Sequence, residues 1–207
     1  MSENLNTVPA RFLLSIVLDN GVRVSDDRLS SLMGGLRQLL APREGVESEL
    51  IVYDGLTPLV AKSFDSDQIL PVSGGRFPLL ARAAELALDR LEARKKALFD
   101  EGVPLYRPLL FLLTDGFCID PTDELSARLE AAERAGLLTY LPFCLSEAPL
   151  CEHVADIDRI KRMPRLLQGG TEGLFAFLSA LIERRLAAPI EEGLKFSKSD
   201  FEGWAVL

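Results

Sequence analysis

Four short apolar runs punctuate the chain: FLLSIVL (12–18), ELIVY (49–53), LLFLL (109–113) and LLTYLPF (137–143). They are nearly continuous rather than alternating, as in strands covered on both faces, and so predict central strands of a helix-flanked sheet. Between them the period changes. Over 26–40, Leu29, Leu32, Met33, Leu36, Leu39 and Leu40 recur at three- and four-residue intervals, which predicts an amphipathic helix with Ser25 as N-cap and Asp26 and Asp27 in its first turn. Gly34 and Gly35 lie inside that helix, where each costs up to about 1 kcal/mol relative to Ala; a close approach to the sheet would account for them. Further helices are expected over 78–99, opening on Pro78; over 120–136, ending on Gly136 as the residue past the C-cap; and over 172–186.

Tyr53-Asp54-Gly55 is followed at once by LTPLVAKSF. That spacing is too short for a helical crossover, so the strand near 57–63 should pair antiparallel with its predecessor, at a sheet edge that tolerates Pro58. The expected order is β-α-β-β-α-β-α-β-α-β-α, a doubly wound, mostly parallel sheet with one antiparallel edge strand, three layers α/β/α. One domain is expected over 10–187. The tail, 188–207, carries Phe196, Phe201, Trp204 and Leu207; so many large apolar groups suit a segment docked on the domain, a partner-binding peptide being the alternative.

Composition narrows the function classes. Hydrophobic residues make up 48% of the 207, and 31 Asp plus Glu against 23 Lys plus Arg give a net charge of −8, which disfavours general affinity for nucleic acid or anionic membrane. No apolar run approaches the roughly 18 to 20 residues that cross a bilayer, and MSENLNTVPAR lacks the basic start and apolar middle of a signal peptide, so a cytoplasmic location is expected. Cys118, Cys144 and Cys151 are three, an odd number that suits reduced thiols. Cys144, Cys151 and His153 lack an evident fourth ligand for zinc and read as packed thiols and an exposed histidine.

Chemistry in an open α/β sheet belongs outside the carboxyl ends of the strands. Three runs end there on aspartate before or near glycine: LDNG (Asp19), VYDG (Asp54) and LLTDG (Asp115). At the hairpin, Asp54 reads as turn chemistry. Asp19 and Asp115 close central strands that this topology places side by side.

These residues carry a resemblance. FLLSIVLDNGVRVSDDRLSSLMGGLRQLL, ELIVYDG, PVSGGRFPLLARAAELALDRL and above all RPLLFLLTDG resemble the von Willebrand factor A domain, in its bacterial intracellular branch associated with tellurite-resistance gene clusters, across about 10–187. The resemblance implies a metal-ion-dependent adhesion site, in which a DxSxS motif, a loop threonine and a later aspartate hold Mg²⁺. Here Asp19 and Asp115 match the two acids, but the motif serines fall on Gly21 and Arg23, and the threonine of SGGT falls on Arg76, after Gly75. Mg²⁺ needs near-octahedral oxygen coordination, so this substitution leaves a poor site. Two carboxylates about 4 Å apart repel by roughly 4 kcal/mol at an effective dielectric near 20. An arginine fork answers that repulsion, so Arg23 and Arg76 are expected to pair with Asp19 and Asp115 in the metal's stead, the alternative being that both are solvated. Rescue of the metal site by Ser25 or Thr114 is not expected: Ser25 serves as a cap, and alternation turns Thr114 to the other side of its strand from Asp115.

The expected function is a non-catalytic protein-protein interaction module with a degenerate, metal-free adhesion site formed by Asp19, Gly21, Arg23, Ser25, Gly75, Arg76 and Asp115, with Phe77, Phe117 and Ile119 beside it. The resemblance implies partners such as a kinase or phosphatase encoded nearby, and a role in stress or phage defence. Two alternatives stand beside this. One is weak Mg²⁺ binding through Asp19 and Asp115 for metal-dependent partner binding. The other is a nucleotide- or small-anion-binding enzyme using VSGGRFP, which lacks the Lys and Ser/Thr of a phosphate-binding loop.

Overall fold

The computed structural model describes residues 8–19, 26–53, 57–71, 79–114, 120–145, 165–166, 170–194 and 196–206. The chain runs β1 (Phe12–Asp19), α1 (Asp26–Leu39), β2 (Val46–Tyr53), β3 (Leu59–Lys62), α2 (Leu80–Asp100), β4 (Leu109–Thr114), α3 (Asp123–Arg134), β5 (Thr139–Cys144), β6 (Arg165–Leu166), α4 (Thr171–Ala187), a short 3-10 helix (Lys198–Phe201) and β7 (Ala205–Val206). Among these residues the sheet has seven strands in the order β3-β2-β1-β4-β5-β6-β7. β2, β1, β4, β5 and β6 are parallel, and β3 pairs antiparallel with β2, as the short 53–59 connection predicts. β7 adds a second antiparallel edge strand, paired with β6.

The unbroken apolar character of the central runs follows from their double cover. Phe12, Leu14, Ile16 and Leu18 pack with α1, α4 and Phe201, whereas Leu13 and Val17 pack with α2 and α3. Every residue of β1 is buried. Expected helix ends and observed ones differ by at most three residues, as is usual for fraying termini. Gly136 takes φ 70° just past the α3 C-cap, Ala135, a left-handed conformation that glycine adopts without steric cost.

Gly35 is close to a neighbour, but that neighbour is a helix and not the sheet. A Cβ there would stand 2.1 Å from the Phe175 ring on α4, while Gly34 faces open space. The glycine thus admits the α4 side chain over α1.

The C-terminal residues lie against the α1/α4 side. Phe143 stacks on Trp204 with centroids 5.5 Å apart, and Phe177 and Phe201 complete the group. Asp200 accepts from the backbone N–H of Ser197 at 2.7 Å within a capping box, and the Trp204 indole donates to the Asp200 carbonyl at 3.0 Å. The buried Arg185 guanidinium lies 4.6 Å over the Tyr106 ring and donates to the carbonyls of Pro189, Ile190 and Glu192, which turns the chain after α4. Among the described residues no helix is long and apolar enough to cross a membrane.

Candidate functional site

Three strands end level with one another at the middle of the sheet. In register, Asp19 of β1 is opposite Tyr53 of β2, and Leu18 is opposite Leu113 of β4, which brings Thr114 level with Asp19 on the other flank. Alternation then turns Asp19, Tyr53 and Thr114 to one face, the side covered by α2 and α3. Asp19 is 1% exposed, and Tyr53 and Thr114 are fully buried. The Tyr53 hydroxyl donates to Thr114 Oγ1 at 2.9 Å, and Thr114 Oγ1 donates to Asp19 Oδ2 at 3.1 Å. A buried carboxylate is tolerated when hydrogen-bonded, because the donors replace part of its lost hydration.

Of the residues expected in the site, Asp19 is the one described, and it lies where the sequence puts it. Gly21, Arg23, Ser25, Gly75, Arg76 and Asp115 lie outside the described residues, as do Phe77, Phe117, Ile119, Cys118, Cys151 and His153. Cys144 is buried in β5 and forms no disulfide. The segments carrying Arg76 and Asp115 nonetheless have neighbouring exits. Asp120 Oδ2 accepts the backbone N–H of Arg82 at 2.9 Å, so the residue after segment 115–119 caps the first turn of the helix that follows segment 72–78. α3 itself starts at Asp123, with Thr122 at its N-cap, three residues later than its sequence suggests.

Thr114 and Tyr53 are the residues sequence reasoning missed. Alternation along β4 argues Thr114 away from Asp115, yet the neighbour that matters is Asp19 on the adjacent strand. Tyr53 reads as one more apolar residue of a buried run. A signal exists: each closes its strand one position before or at an aspartate, and only the register reveals that they share a face.

As a metal centre the described residues supply a single carboxylate here, one oxygen of which already accepts a hydroxyl proton. Among the described residues no group of three His, Cys, Asp or Glu side chains could hold an ion. Metal ligation at this point would rest on the residues of 20–25, 72–78 and 115–119, and the hydroxyls that Mg²⁺ would want at 21, 23 and 76 are glycine and arginine in the sequence.

No known protein family or curated protein matches the chain at the level of sequence. Solved structures do match in fold. Proximal thread matrix protein 1 of the mussel byssus superposes with a TM-score of 0.55 at 9% identity, over 87% of this chain and 47% of that one. An aerotolerance-related membrane protein from Bacteroides fragilis gives 0.50 at 12% identity, over 84% of this chain and 99% of that one. The likeness is to a mostly parallel sheet flanked by helices in three layers, α/β/α. Manganese-loaded TRAP protein from Plasmodium vivax aligns with a TM-score of 0.49 at 11% identity, over 73% of this chain and 61% of that one. The chain therefore spans less than two thirds of the mussel and Plasmodium chains, and at these identities the likeness extends to the fold alone.

Proposed function

We propose that this chain is a non-catalytic protein-protein interaction module of the von Willebrand factor A type, whose adhesion site uses side-chain positive charge from Arg23 and Arg76 where relatives of that type use Mg²⁺. The observation that carries the reading is the position of Asp19. Its carboxylate is buried at the end of the central strand, hydrogen-bonded on its inner side, directly before the segment in which arginine and glycine stand for the two motif serines. A buried carboxylate favours a nearby cation, and an arginine fork meets it bidentately without proton loss. The partner surface is then formed by the loops at the carboxyl edge of the sheet, with arginine and aromatic residues as anchors. The chain acts in the cytoplasm, on a protein partner such as a kinase or phosphatase encoded nearby.

Calorimetric titration with Mg²⁺ and Mn²⁺ tests the charge exchange. No heat of binding is expected in the micromolar range; micromolar binding that vanishes in Asp19→Ala would refute it and favour the metal-dependent reading. Affinity capture from the native host, compared with the Arg23→Ala/Arg76→Ala variant, tests the surface. Loss of the captured partner is expected, and an unchanged set of partners would move the interface elsewhere.

A further inference from the structure

The outer surfaces of the helices differ from one side of the sheet to the other. On α2, Asp89, Glu92, Lys96 and Asp100 are exposed, so a charge meets water about once per turn, as expected of a solvated helix. α1 and α4 do not follow this rule. In a chain that is 26% charged, residues 29–36 and 173–182 carry no charge at all, although Ser30, Ser31, Gly34, Ala176 and Ala180 are exposed. Packing on the sheet does not demand this, because α4 meets the core through Leu174, Phe177, Leu178, Leu181 and Ile182, on its other face. Depletion of charge at the centre of an exposed surface is the mark of an interface core.

The two helices run parallel. Gly35 lies against Phe175, and eight residues further on in both segments Arg43 meets Glu183 at 3.6 Å. A groove of about 470 Å³ between them is lined by Gly35, Leu39 and Phe175, among others. The charges of this face sit at its ends and differ in sign. Asp27 and Glu172 occupy the first turns, whereas Arg37 lies in the last turn of α1; among the described residues no base meets either acid and no acid meets Arg37. At that second end Glu183 is already held by Arg43, and Arg184 meets Asp200 at 3.2 Å. The two acids suit the helix dipoles within one chain, and the whole pattern also has one external fit. A two-fold axis crossing the helices sets them antiparallel to their copies. The acidic end of each copy then lies on the basic end of the other, and the charge-free centres close on each other.

We propose that the α1/α4 face is the interface of a symmetric dimer, its occupant a second copy of this chain. α4 is about 25 Å long and two packed helices are about 20 Å wide, so the dimer buries on the order of 1,000 Å² in total, at the lower bound for a specific interface. It therefore dissociates on dilution. The face is formed by helices and not by the strand-end loops, so it adds to the recognition reading above without resting on it.

Sedimentation equilibrium of the full chain, from about 1 μM to about 1 mM, tests the dimer. A monomer–dimer equilibrium is expected within that range. Ala176→Arg places a charge at the centre of the face and should leave a monomer at every concentration. Arg37→Glu should weaken the dimer about tenfold at low salt and less at high salt. Glu130→Lys, on the exposed face of α3, should dimerise as the wild type does. A wild-type chain that stays monomeric overturns the proposal, and if capture from the host then shows another protein lost in Ala176→Arg, the face belongs to that protein. A dimer that Ala176→Arg leaves intact also overturns it, since that dimer is built elsewhere. Should Ala176→Arg fail to fold by circular dichroism, Ala180→Glu, one turn on, charges the same exposed face and decides.

Discussion

The two faces of this sheet bury leucine alike but differ in what lies among it. On the α1/α4 side the centre is aromatic: Phe111, Phe143, Phe177, Phe201 and Trp204 meet with centroids 5.3–6.1 Å apart. On the α2/α3 side the covering helix α2 buries alanines at 81, 83, 84 and 87, and the strands beneath carry Ser15, Glu49, Asp19, Thr114 and Tyr53. Aromatic area stabilises the fold without asking for partners. Each buried polar group, by contrast, is kept only because a hydrogen bond meets it.

That polar face holds two buried acids, and the contrast between them is instructive. Glu49, fully buried in mid-strand, accepts from Ser15 at 2.7 Å and from Arg90 of α2 at 2.7 Å, a guanidinium that is partly exposed. Burial nonetheless outweighs these bonds and holds its carboxyl above the usual carboxylate range. Glu47, two residues earlier, meets Arg94 in the same way nearer the surface. This pair of ion pairs joins α2 to β2 and needs no ligand to explain it. Asp19 differs in place rather than in burial: it ends its strand, at the carboxyl edge outside which open α/β sheets bind ligands, and it accepts from the Thr114 hydroxyl. A buried carboxylate is thus no sign of a site until its position on the strand is known.

The largest effect should come from the aromatic face. Phe143→Ala removes the ring that touches Phe111, Phe177, Phe201 and Trp204, and should cost about 3–5 kcal/mol in urea unfolding, with a red shift of Trp204 emission. A loss below about 1 kcal/mol would erase the distinction between a face that stabilises and a face that positions.

A smaller effect, with a sign, should come from Glu49. Its folded carboxyl titrates above the free value of 4.5, so between those two pH values the folded state holds the proton more firmly than the unfolded chain does. Stability from this group is complete below pH 4.5 and declines as pH rises through the folded value. Glu49→Gln keeps acceptors for Ser15 and Arg90 but cannot ionise, so the urea midpoint of wild type relative to the variant should fall with rising pH across that window. A flat difference would mean that Arg90 compensates the burial fully.

The smallest effect separates docking of the C-terminal segment from core packing. Asp200→Ala deletes the carboxylate that caps Ser197 and meets Arg184 at 3.2 Å. It should cost about 1 kcal/mol, visible as faster amide exchange at 201–206 with the core unchanged. Equal protection in both proteins would place the hold on this segment in the aromatic contacts alone.

Much of the fold was legible because its signals are local. Apolar runs at 12–18 and 109–113 announce doubly covered strands, and a gap of a few residues after Tyr53 announces a hairpin. β2 shows the limit: its apolar run starts at Glu49, yet the strand starts at Val46, because Glu47 and Glu49 are strand residues whose charges are met by arginines from a helix 41 to 47 residues later. Gly35 is similar, since its room is taken by Phe175 of α4. β7 has two residues and no period to read, and exists as a strand only because β6 offers it an edge.

Amino-acid order alone determined the layers, the mostly parallel sheet and Asp19 as an acid at the end of a central strand, since period, turn spacing and strand ends are properties of neighbouring residues. The tertiary structure decided which side chains share that acid. Thr114 reaches Asp19 across 95 residues of chain and Tyr53 reaches Thr114 across 61, and such meetings depend on strand order and register, which are set by how distant segments pack.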